Sequence, residues 1–223
     1  KITSNPRFAY DSYRRFIQMY GSVVLEIPAY IFEDTYDNHK INHNINNDSE
    51  VTTEILKAVI QDYKKNVHRL TGKELDSNLT EQLIKAIEAV LKSWMSPRAI
   101  HYRKSEQEVL GTAVNIQSMV FGNKGNNSAT GVVFTRSPAN GERKIFGEFL
   151  INAQGEDVVA GTRTPQPILA KEEKDGTSMH ELMPKAYEEL LSICAKLESH
   201  YGDMQDIEFT IEEGKLYILQ TRK

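Results

Sequence analysis

Residues 206–222 read DIEFTIEEGKLYILQTR, and this run predicts a β-hairpin. Polar and apolar residues alternate from Asp206 to Ile211, which is the period of a strand with one apolar face. A second β-type run begins at Lys215. Gly214 stands just before it, where a hairpin turn requires a residue in the left-handed conformation.

The length of the turn sets the pairing between the two strands. A three-residue turn opposes Glu208 to Ile218 and Asp206 to Gln220, and it is the turn that we expect with glycine in its last position. Its alternation places five residues on one face: Asp206, Glu208, Ile218, Gln220 and Arg222. A two-residue turn would instead oppose Glu208 to Leu219 and separate the polar residues.

The polar face of this hairpin has the composition of a metal–phosphate site. Asp206 and Glu208 would lie about 7 Å apart along one strand, and both carboxylates can bind a hard divalent cation. Gln220 offers an amide, and Arg222 a guanidinium suited to phosphate. Together they could bind Mg²⁺ and a triphosphate. A face that is merely solvated, with a cross-strand Asp–Arg pair, explains the same alternation equally well.

Further short β-type runs begin after Gly111. Turns rich in glycine, asparagine or proline separate these runs, which cover 112–121, 131–136 and 144–152. The glycines match neither the Walker nor the dinucleotide pattern, so we interpret these segments as hairpin turns. A helix is predicted at 184–200, with Cys194 on its apolar face and therefore in the core.

The first part of the chain has helical periodicity instead. Apolar residues recur at helical spacing over three segments, which are 7–24, 49–70 and about 79–95. Pro97 ends the third segment. The Asn-rich stretch 37–48 holds His39 and His43 four residues apart, and we interpret it as a solvated loop rather than a metal site.

Composition excludes several classes of protein. The chain has 223 residues, with 27 Lys and Arg against 31 Asp and Glu, so a mainly electrostatic nucleic-acid binder is excluded. No run approaches the roughly 18 apolar residues of a membrane span. The single cysteine excludes a disulfide framework and fits a reducing compartment, so we expect a cytoplasmic protein. Because the chain begins with Lys1, we expect a processed product or a segment of a longer protein.

Several long motifs resemble the pyruvate phosphate dikinase family. They span nearly the whole chain and lie at 5–21, 111–123, 131–136, 152–161, 163–168, 206–210 and 219–222. The resemblance implies an α+β fold in two parts. These are an all-helical inserted subdomain at 1–97 and, at 98–223, part of an ATP-grasp nucleotide-binding domain with a mostly antiparallel sheet.

The resemblance also implies roles for individual residues. Two of them would bind Mg²⁺, namely Asp206 and Glu208. The others would contact ATP: Gln117, Met119, Val120, Glu148, Glu156, Gln220 and Arg222. Within this group, Gln117 and the backbone of Met119 and Val120 resemble the family's strand on the adenine side of ATP.

The family passes a pyrophosphoryl group from ATP to a histidine on a separate domain, and a third domain then phosphorylates pyruvate. The overall reaction converts ATP, pyruvate and phosphate to AMP, phosphoenolpyruvate and pyrophosphate, and the full enzyme is implied to be a homo-oligomer. The phosphohistidine motif has no counterpart here, and neither has the family's N-terminal phosphate-binding segment. We therefore expect no catalytic residue in this chain and no activity from the chain alone. The alternatives are a phosphoenolpyruvate synthase-type phosphotransferase and a non-catalytic binding or docking module.

Overall fold

The computed structural model describes residues 3–103, 111–159, 161, 163–169 and 176–223. The chain divides into two compact units, Lys1–Gln117 and Ser118–Lys223. The first is helical and the second is built on a sheet, so the fold is α+β, as expected from the sequence. The predicted boundary after residue 97 concerns family domains rather than compact units, and it stays a prediction.

Helices make up the secondary structure of the first unit. Their bounds are α1 Pro6–Val23, α2 Ala29–Asn42, α3 Thr53–Thr71, α4 Leu79–Ser93 and α5 Pro97–Arg103, with a 3₁₀ turn at Asp48–Glu50. Local signals start and end α3, because the Thr52 hydroxyl accepts from the Ile55 N–H and Gly72 ends the helix at φ 70°. The three helices predicted from apolar periodicity are confirmed.

The helical core forms between α1, α2 and α3. Ile17, Phe32, Leu56 and Tyr63 are fully buried in it, and the rings of Phe32 and Tyr63 meet edge to face. An ion pair is buried beside this core, where Arg14 donates to Asp11. No helix in the described part of the chain is both long enough and apolar enough to cross a membrane.

The prediction of a loop over 37–48 is wrong for its first half. Helix α2 continues to Asn42, and His43 follows it directly. Packing outweighs the low helix propensity of asparagine here, because Tyr36 is buried in the core and His39 Nε2 lies 3.0 Å from Asp62 Oδ2 on α3. Among the described residues, these histidines belong to no group able to hold a metal ion.

The second unit is an antiparallel sheet with one long helix. Its elements are β1 Ala129–Phe134, β2 Phe146–Ile151, α6 Gly155–Val159, β3 Gln166–Pro167, α7 Met179–Leu182, α8 Pro184–Tyr201, β4 Asp206–Glu212 and β5 Lys215–Arg222. The strands lie in the order β3-β2-β1-β4-β5, with β5 at one edge. Helix α8 packs on one face through residues that include Leu190 and Cys194. Cys194 is 3% exposed in this core, so its predicted core position is confirmed. Burial raises the pKa of its thiol to about 11.

The β-type run predicted over 112–121 is not a strand in the structure. Its residues form no ladder with any described strand, and Met119 is 61% exposed. A strand needs a neighbouring strand to pair with its backbone groups, and alternating side chains cannot supply one. The runs at 131–136 and 144–152 did become strands, as β1 and β2.

Candidate functional site

The turn between β4 and β5 has two residues, so the predicted three-residue turn is wrong. Glu212 pairs with Lys215, and Glu213 and Gly214 occupy the turn at φ 51° and 82°. Positive φ at both positions is the conformation of a type I′ hairpin turn. The two residues just before β1 hold this turn, because the Glu213 N–H donates to Ser128 Oγ and the Gly214 N–H donates to the Asn127 carbonyl.

A β-bulge then corrects the pairing that this short turn imposes. Phe209 pairs with Ile218, but Glu208, which precedes Phe209 in β4, pairs with Gln220. Leu219 is therefore an extra residue in β5. Beyond the bulge Asp206 lies opposite Arg222.

The structure therefore brings four of the five predicted residues to one face of the sheet: Asp206, Glu208, Gln220 and Arg222. The fifth, Ile218, was placed on this face wrongly. It lies opposite Phe209 and packs against the core under α8. Gly214 has the positive φ that was predicted for it. We call this side of the sheet the carboxylate face.

Ion pairs join the charged groups of the carboxylate face. Arg222 Nε lies 2.7 Å from Asp206 Oδ2, and Arg222 Nη2 lies 3.6 Å from Glu208 Oε1. The hydrogen bond and charge of Asp206 raise the pKa of the Arg222 guanidinium. The Arg222 side chain is 57% exposed, so this pair is screened by solvent and the guanidinium is accessible to an anion.

The two carboxylates fit a site in which the protein supplies only part of the ligands of Mg²⁺. Mg²⁺ is commonly bound by one or two carboxylates, with substrate phosphates and water as its other ligands. Asp206 and Glu208 supply that number on one face. Within the described residues, no cluster of three or more His, Cys, Asp or Glu side chains could hold a metal ion by itself.

Glu148 lies on the same face as these residues. It pairs with Val132 of β1, which pairs in turn with Glu208, so a row crosses four strands and ends at Gln220. Neighbouring strands are about 4.8 Å apart, so the backbones of Glu148 and Glu208 are separated by about 10 Å. The structure thus brings Glu148 into the neighbourhood of the carboxylates without a contact to them.

The remaining predicted residues lie outside the strands of the sheet. Glu156 lies in the first turn of α6 and is exposed. Met119 and Val120 belong to the segment without a strand, and Gln117 belongs to the helical unit. Their roles in binding ATP stay predictions.

The sequence reasoning missed Glu212, which lies at the turn end of the carboxylate face. Its carboxylate accepts from the Phe121 N–H at 2.8 Å and pairs with the Lys124 ammonium. Burial would raise the pKa of Glu212, but these hydrogen bonds lower it below its ordinary value. The signal was present, because Glu212 continues the alternation of Asp206 and Glu208. Its partners could not be identified from that alternation.

The other side of this unit has a cleft of about 520 Å³ between α8 and the end of β1. Arg136 and Glu198 form an ion pair in its wall, and Leu191 and Cys194 supply apolar lining. Since α8 covers the face opposite the carboxylates, this cleft is separate from the candidate site.

Comparison with known proteins adds an independent observation. Residues 72–188 and 169–223 match the family described as "Pyruvate phosphate dikinase, AMP/ATP-binding domain". The chain is also 59% identical over 220 residues to "Pyruvate, phosphate dikinase" of Rickettsia prowazekii, covering 98% of this chain and 24% of that protein. Identity to the protein of the same name from Clostridium symbiosum is 52% over 226 residues, covering 100% of this chain and 25% of the relative.

A plant relative is similar over the same region. Identity to "Pyruvate, phosphate dikinase 1, chloroplastic" of Zea mays is 50% over 221 residues, covering 98% of this chain and 22% of the relative. The chain therefore spans about a quarter of the length of the curated relatives it matches.

Proposed function

The chain belongs to the pyruvate phosphate dikinase family through its AMP/ATP-binding domain, and we propose that it is the ATP-binding part of a pyruvate, phosphate dikinase. One structural observation carries the proposal. Asp206, Glu208, Gln220 and Arg222 share one face of the sheet, opposite the face that α8 covers. Two carboxylates can bind Mg²⁺, and a guanidinium can bind the phosphates that share the metal.

Each group has a distinct part in binding. Asp206 and Glu208 are the candidate ligands of Mg²⁺, which when bound would neutralise charge on the phosphates. Arg222 presents an exposed guanidinium that can donate two parallel hydrogen bonds to a phosphate. Gln220 presents a neutral donor and acceptor beside Glu208.

The reaction of the intact protein is a wider proposal that rests on the names of the relatives. A pyrophosphoryl group would pass from ATP to a histidine on another domain, leaving AMP. The later steps would give phosphoenolpyruvate from pyruvate and pyrophosphate from inorganic phosphate. The partners of this chain would then be ATP and the phosphohistidine and pyruvate-binding domains of the same protein.

Substitution of one carboxylate tests the proposal. Glu208→Gln keeps the shape of the side chain and removes the charge of a magnesium ligand. In the intact protein it should weaken binding of MgATP by at least tenfold and abolish ATP-dependent labelling of the histidine. Calorimetry and transfer of labelled phosphate measure the two effects.

The matched control is Glu188→Gln, an exposed residue of α8 on the other side of the sheet. It should leave MgATP binding unchanged. Transfer between phosphoenolpyruvate and the histidine should survive in both variants, because that chemistry would use other domains. Equal binding of MgATP by the Glu208→Gln variant and the unaltered protein would refute the proposal.

We further propose that the isolated chain binds MgATP weakly and is inactive. Phosphoryl transfer depends on cations arranged around the transferring oxygens, and among the described residues Arg222 is the cation that pairs with Asp206 and Glu208. Calorimetry of the chain beside the intact protein tests this point, and comparable micromolar affinity in both would contradict it.

A further inference from the structure

Gln205 directly precedes β4 and is 1% exposed. Both its side chain and its backbone are hydrogen-bonded, as a buried amide requires. Its Oε1 accepts from the Thr221 hydroxyl at 2.9 Å, and its Nε2 donates to the carbonyls of Asp203 and Met204. Its backbone N–H donates to the Thr135 hydroxyl at 3.0 Å, and its carbonyl accepts from the Thr135 N–H. Gln205 therefore joins the ends of β1, β4 and β5.

Strand β5 could pair with β4 in two ways beyond Phe209, and the structure has the bulged one. The two-residue turn by itself would place Glu208 opposite Leu219, and Gln220 would then lie opposite Ile207. A shift of one residue exchanges the faces of all side chains that follow it. In that unbulged pairing Gln220 and Arg222 would leave the carboxylate face for the face covered by α8. The bulge at Leu219 prevents this exchange.

Few interactions distinguish the two pairings. Among the described strands, β5 lies at the edge of the sheet and pairs with β4 alone, so no second described strand fixes its position. The Arg222 side chain is 57% exposed, so solvent screens its ion pair with Asp206 and the pair contributes little in water. The hydrogen bond between Thr221 and the buried Gln205 is different, because loss of its donor would leave a buried amide oxygen unpaired.

That hydrogen bond requires the bulged pairing. With the bulge, Thr221 lies opposite Ile207 and on the same face as Gln205. Without it, Thr221 would lie opposite Asp206 and on the carboxylate face, away from Gln205. The bond is thus available in one pairing only.

We propose that Gln205 is a positioning residue for ATP binding, which selects the bulged pairing through Thr221 and so keeps Gln220 and Arg222 beside the two carboxylates. Its effect on pairing stands on the hydrogen bonds alone, whereas its effect on ATP binding rests on the proposed function. Gln205 itself contacts no ligand in this account, because its side chain lies on the α8 side of the sheet.

A pair of substitutions at Thr221 tests the proposal. Thr221→Val removes the hydroxyl and keeps a β-branched side chain suited to a strand, whereas Thr221→Ser keeps the hydroxyl. About two thirds to nine tenths of the Val variant should adopt the unbulged pairing, and apparent affinity is proportional to the fraction that keeps the bulged pairing. We expect the dissociation constant for MgATP of the intact protein to rise about threefold to tenfold in the Val variant. The Ser variant should be unchanged.

Deletion of Leu219 separates positioning from general stability. Without the extra residue, the pairs Phe209–Ile218 and Glu208–Gln220 become continuous, and the competing pairing no longer follows from the turn. Thr221→Val should therefore have no effect on MgATP affinity in a chain that lacks Leu219. A merely structural role of the hydroxyl predicts the same loss of stability in both backgrounds and no dependence of affinity on Leu219.

The pairing can also be measured directly on the chain without nucleotide. Nuclear Overhauser contacts should connect Ile207 with Thr221 in the unaltered chain. A second set, connecting Ile207 with Gln220, should appear in the Thr221→Val variant beside the contacts of Ile207 with the new valine. A Val variant that is less stable but keeps the first set alone and normal MgATP affinity would overturn the proposal. Failure of the Glu208→Gln test would instead refute the proposed function, and the nuclear Overhauser contacts would still decide the role of Gln205 in pairing.

Discussion

Glu208 of β4 lies directly opposite Gln220 of β5, and both side chains lie on the carboxylate face. Two irregularities produce this relationship. The turn at Glu213 and Gly214 is one residue shorter than the three-residue turn that the sequence predicts, and the extra residue Leu219 compensates for it. The candidate site therefore depends on a bulge that lies within the same hairpin.

The first prediction concerns the turn. Glu213 has φ 51°, which asparagine tolerates better than glutamate, so Glu213→Asn should stabilise the chain by about 0.5–1 kcal/mol. Glu213 is 65% exposed and its carboxylate lies 3.6 Å from the Lys124 ammonium, so loss of this ion pair opposes the gain only slightly. Gly214→Ala should destabilise the chain by about 1 kcal/mol, since φ is 82°. Urea unfolding measures both changes, and Glu188→Asn in α8 should destabilise because asparagine is a poor helix former.

The second prediction concerns Gly131 in the central strand. A Cβ atom there would lie 2.6 Å from the Glu148 carbonyl oxygen and 2.6 Å from Phe209 Cζ. Gly131→Ala should therefore cost about 3 kcal/mol of unfolding free energy, since a close-packed sheet cannot accommodate the methyl group. Gly111→Ala is the control, because the space around Gly111 is open and its change should stay within about 0.5 kcal/mol. Equal unfolding midpoints for the two variants would contradict the packing described here.

The third prediction concerns Asp11 in the helical unit. Burial would raise its pKa, but Arg14 and Arg15 together hold the pKa below its ordinary value. A lowered pKa in the folded state stabilises the fold at pH values above the unfolded pKa of about 4, and this stabilisation is lost as the pH falls through the folded value. Asp11→Asn should cost about 3 kcal/mol at pH 7, because the buried Arg14 loses its counter-charge.

Urea unfolding across pH tests this prediction. The difference in unfolding free energy between the unaltered chain and the Asp11→Asn variant should be constant from pH 7 to 5 and should shrink below about pH 4. Asp34→Asn, at an exposed position of α2, should give almost no difference at any pH. A difference for Asp11→Asn that did not change with pH would exclude the ion pair as its cause.

The fourth prediction concerns the guanidinium of Arg222 and assumes the proposed function. Arg222→Lys keeps the charge but loses the fork that binds phosphate through two hydrogen bonds, so MgATP affinity of the intact protein should fall about tenfold. Arg143→Lys is the matched control, since Arg143 is exposed and lines the cleft on the α8 side. Calorimetry distinguishes the two, and unchanged affinity in the Arg222 variant would remove Arg222 from the site.

The sequence predicted the faces of β4 correctly because alternation is a local property of a strand. Asp206 and Glu208 share a face whatever their neighbours are. The pairing of β5 with β4 was not predicted correctly. The turn is held by Ser128, which lies 85 residues before Glu213, and a pattern of neighbouring residues contains no information about such a contact.

The same distinction explains the errors in the helical unit and before the sheet. The three helices with clear apolar stripes were predicted, whereas α2 depends on burial of Phe32 and Tyr36 against other helices. The segment 112–121 has alternating apolar residues but no paired neighbour among the described strands. In both places the outcome depends on whether a partner distant in sequence packs or pairs with the segment, and local periodicity does not reveal that.

The order of the strands has a consequence for how the sheet assembles. β4 and β5 are joined by a two-residue turn, so their pairing closes almost no loop and should form early. The pairing of β1 with β4 is the opposite case, because Thr130 and Thr210 meet across the sheet from positions 80 residues apart. Pairings at such separation are slow to form. We therefore expect β4 and β5 to pair before the centre of the sheet closes, and β1 to join them later, when the Thr135 hydroxyl can accept from the Gln205 N–H.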